Sequence, residues 1–225
     1  MMHSVYVVMP VRGRKEQSVD AMRRLIGTAS YAATYLAVAG LEDYDTVTAV
    51  GQVAGCASVV VNAPIATYWQ GLKRATDALP DSALIATVAN DVLPCINWLS
   101  NAVGHYNPDI DNIVGFNGDG YDDKHACHFL ISMKRVRSYG GWPVWYHHNF
   151  GDTEFVTRAR MVGKFVKPPY AILFHNHPVV SRARPDDVYE LGQQRFHLDK
   201  QLFELRRDNQ WNEDLTSLPK YSYIH

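Results

Sequence analysis

The sequence predicts an α/β domain with a mostly parallel central sheet, on three observations. Four short apolar runs rich in Val, Ile and Ala recur through the N-terminal half. The first of them, residues 4–9, is nearly continuous rather than alternating, the pattern of a parallel strand covered on both faces. Between the runs lie stretches whose apolar residues fall at helical spacing. Strand and helix alternating in this way give a doubly wound sheet.

Residues 4–9 (SVYVVM) read as the first strand, and Pro10-Val11-Arg12-Gly13-Arg14 as a basic loop at its carboxyl end. From residue 15 to about 33, Val19, Met22, Leu25 and Ile26 have the spacing of a helix. Residues 35–39 form the second strand, broken by Gly40 and followed by an acidic loop of Glu42, Asp43 and Asp45. Asp45 is the expected cap of a helix through Val53. Residues 57–61 (ASVVV) form the third strand, and Asn62-Ala63-Pro64 has the pattern of a cap with proline in the first turn of a helix. The fourth strand, residues 84–89, runs into Asn90-Asp91. Pro94 is expected to stop it, since proline has no amide proton for a ladder. Ile96, Trp98, Leu99 and Val103 then mark a helix.

Right-handed crossovers place the carboxyl ends of all four strands on one edge of the sheet. That edge would gather Arg12, Arg14, the acidic loop, Asn62 and Asp91. Further on, residues 112–116, 127–133 and 170–174 are strand-like, Phe150-Gly151-Asp152-Thr153-Glu154 opens a helix, and residues 185–208 are helical.

Composition excludes several classes. Hydrophobic residues make up 47% and charged residues 20%, which is globular, and the formal charge of −1 argues against binding through broad phosphate neutralisation. The three cysteines are widely spaced and in no metal-ligand pattern, which points to a reducing cytoplasm. No apolar run is long enough to span a membrane. Neither G-x-G-x-x-G nor G-x-x-x-x-G-K occurs, against a dinucleotide-binding dehydrogenase or a P-loop enzyme.

A carboxylate at the carboxyl end of a central strand stands where open α/β sheets bind ligands. Asp91 with His177 would suit Mn²⁺, whereas Mg²⁺ would lean on the carboxylate and water. His175 and His177 share one extended segment, and one of the two is the expected ligand. Asp91 could equally be part of a turn leaving the sheet. Asp152 and Glu154 at a helix start could cap it, or one could be a general base with Arg158 on the next turn to orient it. Trp142 and Trp145 offer flat faces for a sugar or base, and are as often core residues. Arg12 and Arg14 suit a pyrophosphate.

In order, these pieces resemble the nucleotide-sugar-dependent glycosyltransferases of the GT-A fold, above all the inverting family 2, over roughly residues 4–178. VYVVMPVRGR resembles the family's first strand and loop, and LIATVANDVLPCINWL its acidic metal motif. IVGFNGDG and HFLISMKRVRSYGG resemble the acceptor-side strands, FGDTEFVTRAR the motif whose Asp is the base, and HNHP the late metal histidine.

The resemblance implies Asp91 and His177 as ligands of Mn²⁺ or Mg²⁺, and Asp152 as the base. Glu154, Trp142, Trp145 and Arg158 would lie on the acceptor side. Pro10, Val11, Arg12, Arg14, Glu42 and Asn90 would lie around a nucleotide-diphosphate sugar. The family's acidic triplet is reduced to Asn90-Asp91. Its Asp after the second strand is replaced by Ala39-Gly40, with Glu42 or Asp43 as substitutes.

The implied organisation is a transferase domain at 1–180, with a donor half (1–104) and an acceptor half (105–180), and a helical extension at 181–225. The extension would close the acceptor side or pair in a homodimer. The implied acceptor is a hydroxyl of a glycan, a small molecule or DNA. A phage-type enzyme acting on nucleic acid bases would draw phosphate contacts from Arg135, Arg137, Arg182 and Arg184. The rival readings are a nucleotidyltransferase-like enzyme and a non-catalytic nucleotide- or sugar-binding protein on the same fold.

Overall fold

The computed structural model describes residues 3–176 and 185–212. The first half alternates as the sequence predicts: β1 (Val5–Pro10), α1 (Lys15–Thr28), β2 (Thr34–Gly40), α2 (Tyr44–Gly51), β3 (Cys56–Val61), α3 (Tyr68–Thr76) and β4 (Leu84–Thr87). The second half adds β5 (Val92–Pro94), α4 (Trp98–His105), β6 (Ile113–Gly115), β7 (Phe129–Ser132), α5 (Met133–Ser138), α6 (Gly151–Met161), β8 (Phe165–Val166), β9 (Leu173–His175), α7 (Asp187–Gln193) and α8 (Phe196–Asp208).

Seven strands form one mixed sheet in the order β3-β2-β1-β4-β7-β6-β8. β1 to β4 are mutually parallel, and β7 runs antiparallel to both β4 and β6. The chain moves from β1 outward to β2 and β3, then returns to place β4 on the other side of β1. The crevice between β1 and β4 is therefore the switch point at which such sheets bind ligands. Because β7 is antiparallel, its first residues lie at the same edge as the last residues of β4.

The pleat of β1 divides the core. Val5, Val7 and Met9 pack with Met22 and Leu25 of α1, Val47 and Val50 of α2, and Trp98 and Leu99 of α4. Val8 faces the other way, among Trp69 and Leu72 of α3, Met133 and Val136 of α5, Phe155 and Val156 of α6, and Phe203 of α8. At this level the predicted sheet, flanked by helices, is what the structure shows.

Several local expectations give way. α3 starts at Tyr68, not Asn62, because Thr67 is the residue whose side chain accepts from the Gln70 amide. Residues 62–66 form a loop instead, with the Ile65 amide bonded to Glu42 and the Ala66 amide to Gln70. Asp45 lies inside α2, and Asp43 at its start accepts a 2.6 Å hydrogen bond from the Gly13 amide. Pro94 does not end a strand at once; it closes β5, which pairs antiparallel with β9 in a separate two-stranded sheet. The C-terminal helix is two helices, α7 and α8. Among the described residues no helix is long and apolar enough to cross a membrane.

Candidate active-site cleft

A cleft of about 520 Å³ opens at the carboxyl edge of the sheet, lined by the loops that follow β1 and β4, the approach to β7, the start of α6 and the end of β9. It exists because β4 and β7 part company. Their ladder ends near Ala86 paired with Leu130, and the Thr87 hydroxyl then bonds both the amide and the carbonyl of Phe129. Beyond that point the two chains diverge, one toward Asp91 and the other back toward His128. Gly151 packs the start of α6 against Trp69, where a Cβ would meet the indole ring at 2.3 Å.

Asp91, His128 and His175 offer one ligand atom each, all within 4.8 Å of one another. β5 delivers the aspartate and β9 the second histidine. Val92 is paired with His175, and the Asn176 amide bonds the Asp91 carbonyl at 2.7 Å. His175 Nε2 stands 3.4 Å from Asp91 Oδ1, and the His128 and His175 rings meet edge to face at 5.1 Å. Both ring nitrogens of His128 are buried with no hydrogen-bond partner among the described residues, and the residue is 6% exposed. Burial first, and the neighbouring His175 charge second, lower its pKa to about 4. A buried imidazole kept neutral, beside a carboxylate and a second imidazole, is a donor set that could hold a divalent ion.

The expected ligand His177 lies outside the described residues. It is His175 that the structure sets against Asp91, because the β5–β9 pairing brings the end of β9 beside the residue that precedes β5. His128 was not read from the sequence as a site residue. It stands one residue before β7 in an apolar run, and only the sheet order reveals its company.

A second group of three follows: His125, Cys127 and Asp152. His125 Nε2 is 3.4 Å from Asp152 Oδ2 and 3.9 Å from Cys127 Sγ. Burial alone would raise the Asp152 carboxyl, but the His125 hydrogen bond and charge, with the Thr153 amide, hold it below the ordinary value. Burial pulls His125 down, and Asp152 more than restores it, so its pKa is raised. The Cys127 thiol is pushed well up by burial and by the Asp152 and Asp119 charges.

Pro10, Val11, Arg12, Arg14 and Asn90 all line the cleft. Arg12 donates to the Ala66 carbonyl at 3.3 Å, and Arg14 forms a bidentate pair with Asp186. Asn90 is committed to Ser18, donating from Nδ2 at 2.9 Å. Glu42 is not among the lining residues; its carboxylate turns to the Ile65 amide.

The expected acceptor-side residues Glu154, Trp142, Trp145 and Arg158 are not in the cleft. Glu154 is fully buried and accepts from Arg158, Arg206, Trp145 and the Tyr146 hydroxyl. The helical turn explains the split: Asp152 and Glu154 are about 200° apart around α6, so one faces the cleft and the other the core. Trp142 stacks on Trp69 and Phe155, and its indole donates to Thr76 at 2.7 Å. The aromatic groups that do line the cleft are Tyr68, Trp69, Tyr121, Phe150, Tyr189 and Phe196. Of the arginines expected to touch nucleic acid, Arg135 pairs with Asp111 and Arg137 with Asp81, while Arg182 and Arg184 lie outside the described residues.

No protein-family model matches the sequence, and no curated protein matches it. Solved structures do. A mannosyltransferase from Pyrobaculum calidifontis, in complex with GDP-Man and Mn²⁺, superposes with a TM-score of 0.70 at 15% identity, covering 93% of this chain. The chain spans 65% of that protein's length. Glucosyl-3-phosphoglycerate synthase from Mycobacterium tuberculosis, with Mg²⁺ and UDP, gives 0.61 at 12% identity, covering 90% of this chain and 79% of the synthase. A Drosophila galactosyltransferase with manganese, UDP-Gal and xylobiose gives 0.55 at 13% identity, covering 86% and 80%. The chain has the GT-A fold, the one its sequence resembles.

Proposed function

We propose that the protein is a divalent-metal-dependent glycosyltransferase. It would move a sugar from a nucleoside-diphosphate sugar to an acceptor hydroxyl, with inversion at the anomeric carbon. The observation that carries the proposal is the meeting of Asp91, His128 and His175 with Asp152 in one cleft, at the switch point of a GT-A sheet. Structural neighbours at the same fold hold GDP-Man with Mn²⁺ or UDP with Mg²⁺.

Asp91, His128 and His175 would hold the ion, and His128 fits because its ring nitrogens are otherwise unsatisfied. When bound, the ion supplies positive charge against the departing diphosphate. Arg12 at the cleft edge adds to that charge. Asp152, kept ionised, accepts the proton of the acceptor hydroxyl at Oδ2 as that oxygen attacks the anomeric carbon. The new C–O bond forms as the bond to the diphosphate breaks, and its electron pair leaves on the diphosphate. Tyr121, Phe150, Tyr189 and Phe196 offer the flat faces an acceptor would lie against.

The test is thermal stability with a panel of nucleotide sugars and free nucleotides, each with and without Mn²⁺. A ligand at about 100 times its dissociation constant adds about 2.7 kcal/mol to the folded state. One nucleotide diphosphate is expected to stabilise only with metal, with the effect lost in Asp91→Ala. No shift from any nucleotide would reject the proposal. The anomeric configuration of the product, read by NMR, then decides inversion.

A further inference from the structure

We infer that His125, Cys127 and Asp152 form a second, sulfur-containing cation site in the cleft, suited to Zn²⁺ rather than Mn²⁺ or Mg²⁺. In a tetrahedral zinc site, with sulfur at about 2.3 Å and nitrogen or oxygen at about 2.0–2.1 Å, neighbouring ligand atoms stand roughly 3.3–3.6 Å apart. His125 Nε2 lies 3.4 Å from Asp152 Oδ2 and 3.9 Å from Cys127 Sγ, and all three atoms lie within 4.8 Å of one another. The two distances from His125 thus stand close to those of such a set.

The scaffold behind the three is rigid. The Cys127 amide donates to Asp119 Oδ2 at 3.0 Å, and Asp119 Oδ1 takes the Tyr121 amide at 3.1 Å and Lys167 Nζ at 2.8 Å. Both Asp119 and Lys167 are buried, their side chains 2% and 1% exposed. Tyr121 in turn meets the His125 ring edge to face at 4.7 Å. Asp152 Oδ1 accepts from the Thr153 amide at 2.8 Å, which leaves Oδ2 turned to His125. Ligands braced in this way lose little freedom on binding an ion.

Softness sorts the two sites. Asp91, His128 and His175 offer oxygen and nitrogen alone, whereas Cys127 adds a thiolate that selects zinc over the harder ions. On binding, the S–H bond breaks, a sulfur–metal bond forms and the proton goes to solvent, together with any proton His125 holds. Occupancy engages Asp152 Oδ2, so Zn²⁺ would block the transfer even with Mn²⁺ in place. That consequence rests on the transferase reading; the site itself does not.

Cobalt serves as the visible stand-in for zinc. Titrating the metal-free protein with Co²⁺ is expected to give a saturable thiolate-to-cobalt charge-transfer band in the near ultraviolet, displaced by Zn²⁺. The band should vanish in Cys127→Ser and persist in the Cys56→Ser/Cys95→Ser double variant, where Cys127 is the one remaining cysteine. His125→Ala should weaken Co²⁺ binding about tenfold or more. No band in the wild type, a band that survives Cys127→Ser, or one lost with Cys56 and Cys95 would overturn the site. A missing band with metal-dependent nucleotide binding intact rejects the zinc site alone. A band without any nucleotide effect supports this site and rejects the transferase.

Discussion

Asp152 and Glu154 stand two positions apart at the start of one helix, and their surroundings are opposite. Asp152 reaches the cleft beside His125, while Glu154 is fully buried under Arg158 and Arg206. Glu154→Ala is expected to cost about 3–5 kcal/mol in urea unfolding, because it strands buried guanidinium charge. Asp152→Asn should leave the unfolding midpoint nearly in place and cut turnover by about 10²–10⁴ in a transfer assay. If the two variants exchange these phenotypes, the roles are misassigned. Residue type and position make both carboxylates candidates, and only the family resemblance names Asp152 as the base. What separates them is Arg206, far along the chain on a different helix. The same holds for Trp142 and Trp145, which as residue types suit a sugar platform and here fill the core. His128 was invisible for the converse reason, since its metal-site neighbours come from two other strands.

Among the elements, α8 does more than cover an apolar face. Its Asp199, fully buried, accepts from the backbone amides of His147, His148 and Asn149 at 2.8–2.9 Å, and those three residues line the cleft. One carboxylate thus shapes the loop between α5 and α6. Asp199→Ala removes the carboxylate that accepts from three amides and should cost about 1–3 kcal/mol. Hydrogen exchange at residues 147–149 is expected to rise much more than exchange in β1 or β4; uniform protection across the variant would refute the role. The helices of the first half were legible from apolar spacing, because each packs one face on its own neighbouring strands. The loop at 144–149 was not. Its order is imposed by a helix some fifty residues later, and no local pattern encodes that.

At the scale of the whole molecule, acid stability should be governed by histidines before carboxylates. His128, His147 and His148 all have pKa values lowered from 6.5, in each case mainly by burial. A group whose folded pKa is depressed contributes stability that is present above its unfolded pKa and lost as pH falls through the folded one. The melting temperature should therefore decline as pH falls from 6.5 toward about 4, the value for His128. His128→Asn should flatten the decline; an unchanged slope would exclude that residue as its source. The parallel half of the sheet was readable as a whole, since the largely buried β1, β2 and β4 announce themselves by composition and the edge strand β3 by its run of valines. In the antiparallel half the strands at 112–116, 127–133 and 170–174 were legible but their pairing was not, because β6, β7 and β9 are three or four residues long and take their partners from across the chain. The pairing of β5 with β9 also bears on the order of folding. Asp91, His128, Asp152 and His175 come from four separated segments, so no subset made early carries the full site. Loop-closure entropy must be met across more than a third of the chain before the aspartate and its histidine face one another. On the proposed transferase reading metal capture becomes a chronometer: in refolding, a Co²⁺ or Mn²⁺ signal should lag the recovery of helical circular dichroism, marking the moment the last strand docks.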